Sequence, residues 1–167
     1  MGYKDSFVYS LRQKVGDMRL ITAGVEIVPL NKKNQIKLVR SRDIDGWSVP
    51  GGHVELGDSW QSAALKELRE EVGIIADIDD LEICAIVSGP GRVFSYKDGT
   101  TQAFTVCFLC RNWEEELRFL DDDEIIESKW VDIGRVREFV TNERELMMLN
   151  AYEKYILTNK IQMVVEE

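Results

Sequence analysis

Glu67, Glu70 and Glu71 stand at i, i+3 and i+4 within the run Ser59–Val72. On a helix turning about 100° per residue they share one arc. Ala64, Leu65, Leu68 and Val72 fall on a neighbouring arc that must face a core. Lys66 and Arg69 lie toward solvent, and Arg69 is too far around to neutralise the acids. Like charges at this spacing cost a few tenths of a kcal/mol per pair, and more when partly buried. A helix that needed only solubility would interleave lysines on that face. Carboxylates converging without competing ammonium groups suit a hard divalent cation. The competing reading is a solvated acidic face, with Lys66 and Glu70 as an ordinary i, i+4 pair.

Such a helix must be positioned by what surrounds it. Ser59 or Asp58 can cap its start, and Gly73 can supply a left-handed C-terminal cap. Before it, Asp43 to Gly52 reads as a turn-rich loop ending in Pro50-Gly51-Gly52. Upstream, Phe7, Leu11 and Val15 recur at helical spacing, predicting an N-terminal helix within residues 1–17. Ile21, Ala23, Val25 and Ile27 alternate as a half-buried strand does, and Asn31–Asn34 turns into a second strand over Ile36–Arg40. Strand-like runs follow at Leu81–Val87, Ala103–Cys110 and Ser128–Val131. A last helix is expected within 143–161, with Met147, Tyr152, Tyr155 and Ile156 as its contacts. Strands, helix, strands, helix imply a mixed sheet between helices, an α/β (α+β) fold, in a single domain over 1–167.

Composition narrows the chemistry. A net charge of −9 and a pI near 4.8 leave no basic stripe for a nucleic-acid backbone. An acidic protein can still bind phosphate when a divalent cation stands between them. The single histidine, His53, argues against a Ser-His-Asp triad or a multi-histidine metal site. Cys107 and Cys110 sit three apart on an alternating run and so point to opposite faces, which suits buried thiols rather than a zinc site. No run approaches the roughly 18 apolar residues that span a bilayer, and Met1–Ser10 lacks a signal-peptide core. A cytoplasmic protein without a membrane partner is the expectation.

The stretch Gly52-His-Val-Glu-Leu-Gly-Asp58-Ser-Trp-Gln-Ser-Ala-Ala-Leu-Lys66-Glu67-Leu68-Arg-Glu70-Glu71-Val-Gly73-Ile74 resembles the Nudix box of the Nudix hydrolases. It departs from that pattern at Asp58, where the family has Glu, and at Lys66, where it has Arg. Both keep their sign, so the loop-to-helix ion pair that the resemblance implies could survive in shortened form. Lysine lacks arginine's planar two-pronged contact. The resemblance implies the family's alpha-beta-alpha sandwich with its catalytic loop-helix motif. It further implies hydrolysis of a phosphoanhydride bond with magnesium, or manganese in its place. Glu67, Glu70 and Glu71 would be metal ligands, with the backbone of Gly52. Gly51 and Gly52 would approach phosphate closely, while Asp58 and Lys66 orient the motif. The catalytic base would be Glu67 or an acid of the late stretch Asp121–Trp130, Glu124 ahead of Glu127.

Outside the box the residues say less. Arg40, Arg42 and Arg92 could reach a terminal phosphate, and Trp47, Phe94 and Tyr96 could stack a base. Pro90 stands where ADP-ribose-cleaving members of the family often carry a proline. The expected substrate is a small-molecule nucleotide: a nucleoside diphosphate linked to another moiety, ADP-ribose-like or nucleotide-sugar-like. A nucleoside triphosphate, as cleaved by MutT-type enzymes, is the alternative. A homodimer remains open, as do a non-catalytic nucleotide-sensing domain, a prenyl diphosphate isomerase on the same fold and a magnesium-binding interaction domain.

Overall fold

Ser6 starts the first helix, its hydroxyl accepting from the Tyr9 amide at 3.1 Å, and α1 runs over Phe7–Val15. The chain continues through β1 (Leu20–Pro29), β2 (Gln35–Ser41), β3 (Gly51–His53) and α2 (Trp60–Val72). Next come β4 (Ile74–Ile75), β5 (Leu81–Ser88), β6 (Val93–Tyr96), β7 (Gly99–Cys110) and β8 (Glu115–Glu116). β9 (Ile125–Asp132), α3 (Glu143–Thr158) and β10 (Gln162–Val165) complete it. This computed structural model describes residues 3–42, 46–117 and 124–167. Asp43–Asp45 of the predicted loop and Asp121–Asp123 of the late acidic stretch lie outside the described residues.

The central sheet is mixed, in the order β10-β5-β7-β1-β3, with β6 also paired to β7. β1 and β7 run parallel along the whole of β1, β5 pairs antiparallel to β7 but parallel to β10, and β3 pairs antiparallel to β1. One face of β1 and β7, with Val25, Ile27, Val106 and Phe108, packs against Ala64, Leu68 and Val72 of α2. The other, with Val28, Cys107 and Leu109, packs against Met148, Leu149 and Tyr152 of α3 and against Ile36, Leu38 and Val131. The last three belong to the separate β2–β9 ladder. Cys107 and Cys110 enter opposite cores, as alternation requires, and all three cysteines are free and buried. Among the described residues no helix is long and apolar enough to cross a membrane.

The helices depart from the expected faces. α1 buries Val8 and Arg12 rather than the Phe7–Leu11–Val15 stripe. Arg12 donates to the carbonyls of Gly16 (3.3 Å), Met18 and Thr100 (2.6 Å), tying the helix to the start of β7. Those loop carbonyls need donors, and this need outweighs the apolar spacing. α3 buries Met148, Leu149, Ala151 and Tyr152, while Ile156 is exposed. Leu146–Leu149 is apolar all round, so spacing alone does not choose its inward side. The helix ends at Thr158, where Asn159 takes a left-handed conformation (φ 51°) ahead of β10. β3, β6 and β10 had no legible strand pattern; each is three or four residues long and held by its neighbours.

Candidate active site

α2 is fixed at both ends by its own sequence. Ser59 is the N-cap: its hydroxyl accepts from Ser62 N (3.0 Å), and Ser62 Oγ accepts from Ser59 N (2.8 Å). Gly73 closes the helix with φ 71°, and a Cβ there would meet the Leu117 backbone. Between these caps Ala63, Ala64, Leu68 and Val72 are buried, and so is Glu71, 6% exposed. A buried carboxylate needs donors, and Gly51 N–H of β3 donates to Glu71 Oε2 at 2.9 Å. Helix and glycine strand are thus joined through one acid.

Gly52 makes the second junction. A Cβ built there would lie 2.7 Å from the Glu67 carboxyl carbon, so only glycine leaves room for that carboxylate against the strand. Burial first, then the charges of Glu124 and Glu70, raises the Glu67 carboxyl to about 7, opposed by Lys66. Glu71 is raised well above the carboxylate range by burial and by Glu67, the Gly51 hydrogen bond opposing. Glu124, at the entrance to β9, adds to both shifts, which places the late acid beside the helix acids.

One cleft of about 710 Å³ is lined by Glu67, Glu70, Glu71, Glu124, Gly51, Gly52, Lys66 and Arg42. Arg40, Arg92, Asp58 and Trp47, expected at the site, lie elsewhere. Arg40 alternates with Val39 and Ser41, which line the cleft, so its side chain leaves on the other side of β2 and pairs with Glu127 (3.5 Å). Arg92 is 1% exposed, enclosed by Glu26 and Glu166 rather than open to phosphate. Asp58 accepts from Ser62 Oγ (3.4 Å) at the helix start, whereas Lys66 faces the cleft. Trp47 packs edge-on against Phe139, while Phe94 and Tyr96 do line the cleft.

The donor set fits a hard cation. Glu71, buried, and Glu67, half-buried, are oxygen donors crowded by further carboxylates, so a divalent ion would relieve their repulsion. No three His, Cys, Asp or Glu side chains among the described residues already converge on one point. Magnesium takes only one or two carboxylates and fills its shell with water and phosphate oxygens, so a closed cage is not required.

Glu26 and Glu145 also line the cleft, and sequence reasoning passed over both. Glu26 is a lone charge within the apolar strand β1, a signal that could have marked it. Glu145 sits in the first turn of α3, where an acid suits the helix dipole and draws no notice.

A NUDIX domain family model matches residues 20–149. An RNA pyrophosphohydrolase of Pelagibacter ubique is 29% identical over 129 residues, covering 71% of this chain and 81% of that protein. Nudix hydrolase 5 of Arabidopsis thaliana is 28% identical over 116 residues, 66% of this chain but only 36% of the plant protein. Among solved structures, the NUDIX domain of Shewanella oneidensis NrtR complexed with ADP ribose superposes with a TM-score of 0.65 at 15% identity. That match covers 93% of this chain and 99% of the other.

Proposed function

The chain belongs to the NUDIX family, and from that premise we propose magnesium-dependent hydrolysis of a phosphoanhydride bond in a nucleoside diphosphate linked to another moiety. The observation that carries this is the crowded carboxylate pair of half-buried Glu67 and buried Glu71, set against the glycine strand and beside Glu124. Glu67, Glu70 and Glu71 would hold the metal, with the Gly52 backbone at its edge. Bound there, a divalent ion neutralises the diphosphate and acidifies a water.

The protein's own groups do the rest. Gly51 N–H holds Glu71 in place, and Gly52 leaves space for Glu67. Arg42 lines the same cleft and supplies positive charge toward the phosphates. Glu124 comes from outside α2 and takes the proton of the attacking water. Water oxygen adds to phosphorus, the bridging P–O bond breaks, and two phosphate-bearing products leave.

A diphosphate with groups on both sides suits a cleft that runs from these acids to Phe94, Tyr96 and Glu145. The ADP ribose held by the Shewanella domain favours the same class. The test is incubation with magnesium and a panel of ADP-ribose, nucleotide sugars, nucleoside triphosphates and 5′-triphosphorylated RNA. RNA enters because of the Pelagibacter relative's name. Released monophosphate from the diphosphate derivatives, abolished by chelator, is the expected result. Preferential cleavage of triphosphates or RNA would replace the substrate class. Turnover undiminished in excess chelator would overturn the metal-dependent reading.

A further inference from the structure

α2 covers one end of its face of the central sheet and leaves the other end open. It packs on Val25 and Ile27 of β1 and on Val106 and Phe108 of β7. Earlier on the same strands, alternation sends Ala23 and Ile21, Phe104 and Gln102 to that same side. β5 adds Ile86, which pairs with Val106, and then Ser88. β10 adds Met163 and Val165, paired with Ile86 and Ser88. The large side chains here face water: Ile21 is 74% exposed, Met163 72%, Val165 57% and Phe104 44%.

This patch differs from the rest of the surface in charge and in area. Charged residues make up 31% of the chain, yet none of these eight outward positions carries one. Its four most open side chains expose on the order of 500 Å², as much as the largest apolar patch of a typical monomer, which is often functional. Two such patches laid face to face would bury about 1,000 Å² in total, the threshold of a specific interface. β10 is the last strand of the sheet, and Gln162–Val165 holds neither the proline nor the charge that commonly guards an open edge.

We infer that this open sheet face is the interface between two copies of the chain, packed face to face about a twofold axis. Each copy carries a net charge of −9, so two copies repel wherever their charged surfaces meet. A patch without charge is where that repulsion is least. A twofold axis brings the same surface to itself, so apolar area meets apolar area with no charge pattern needed for register. The same neutrality gives a different acidic or basic protein nothing to recognise. An anionic lipid surface would be repelled by the acidic chain around the patch.

The experiment is sedimentation velocity of the full chain from about 1 to 500 µM, a range set by what an interface of this size supports. It compares wild type, Ile21→Lys/Met163→Lys, Ile21→Glu/Met163→Glu and, as a control on α3, Leu157→Lys, whose site is 83% exposed and lies off this face. Wild type should dimerise with a Kd of about 1–100 µM. High salt should tighten the dimer, because screening relieves repulsion between the copies. Either double variant alone should weaken it by about tenfold or more, since unpaired charge enters the interface. Mixed together, the two should recover a Kd within about threefold of wild type wherever the axis falls, because every charge then meets its opposite. Leu157→Lys should change nothing. A wild type monomeric throughout, a dimer loosened by salt, a dimer indifferent to both double variants, or a mixture no tighter than either variant alone overturns the inference. A monomer that floats with phosphatidylcholine vesicles also overturns it and assigns the face to lipid. Should the double variants fail to fold, hydrogen exchange of wild type decides. The amides of β10 should exchange more slowly at the top of the concentration range than at the bottom, and equal rates overturn the inference.

Discussion

Glu67→Gln should make the metal-free protein more stable while it disables turnover. The fold holds this carboxyl at about 7 instead of 4.5, chiefly through burial and the nearby Glu124 and Glu70. That difference amounts to roughly 3 kcal/mol between the protonated and charged forms. A folded-state value raised above the unfolded one means that stability is full below about pH 4.5 and is lost as pH rises to about 7. Residual solvation reduces the effect, so glutamine should gain about 1–3 kcal/mol at pH 8. In a chain of this length that is about 2–10 °C in melting temperature. The assay is thermal unfolding in excess chelator at pH 4.5 and pH 8, repeated with saturating magnesium. The gap between variant and wild type should be small at pH 4.5 and open at pH 8. Magnesium should then stabilise wild type more than the variant, since binding to the native state alone adds to stability. A variant less stable than wild type at pH 8 in chelator, or a gap of equal size at both pH values, would refute the reasoning.

Gly52→Ala should lower turnover by about a hundredfold through displacement of the Glu67 carboxylate; a rate within threefold of wild type would show that the strand yields instead. Glu124→Gln should cut kcat by about 10²–10⁴ while magnesium affinity by titration stays within a few-fold; a parallel loss of affinity would make Glu124 a ligand rather than the base. Because Asp58 engages Ser62 and Lys66 faces the cleft, alanine substitutions at these two positions should be additive in turnover within about 0.5 kcal/mol. Larger coupling in the double-mutant cycle would restore the family's loop-to-helix pair.

α2, its caps and its acids were legible because each depends on residues within a few positions of one another. The i, i+3, i+4 spacing sets Glu67, Glu70 and Glu71 on one side, Ser59 and Gly73 close the ends, and the alternation of β7 sends Cys107 and Cys110 into different cores. A ladder that joins distant segments decided the remainder. Pairing β1 with β7 places Glu26 opposite Cys107, bringing Arg92 to Glu26, and α3 then presents Glu145 to the same face. None of these residues is near another in the chain, so no local periodicity could join them. The same holds for Arg40: its type suited phosphate, but the pairing of β2 with β9 turned it toward Glu127. Local hydrogen-bond geometry wrote the acid-bearing helix into the sequence, whereas burial across non-local strands chose what faces it from the other side of the sheet.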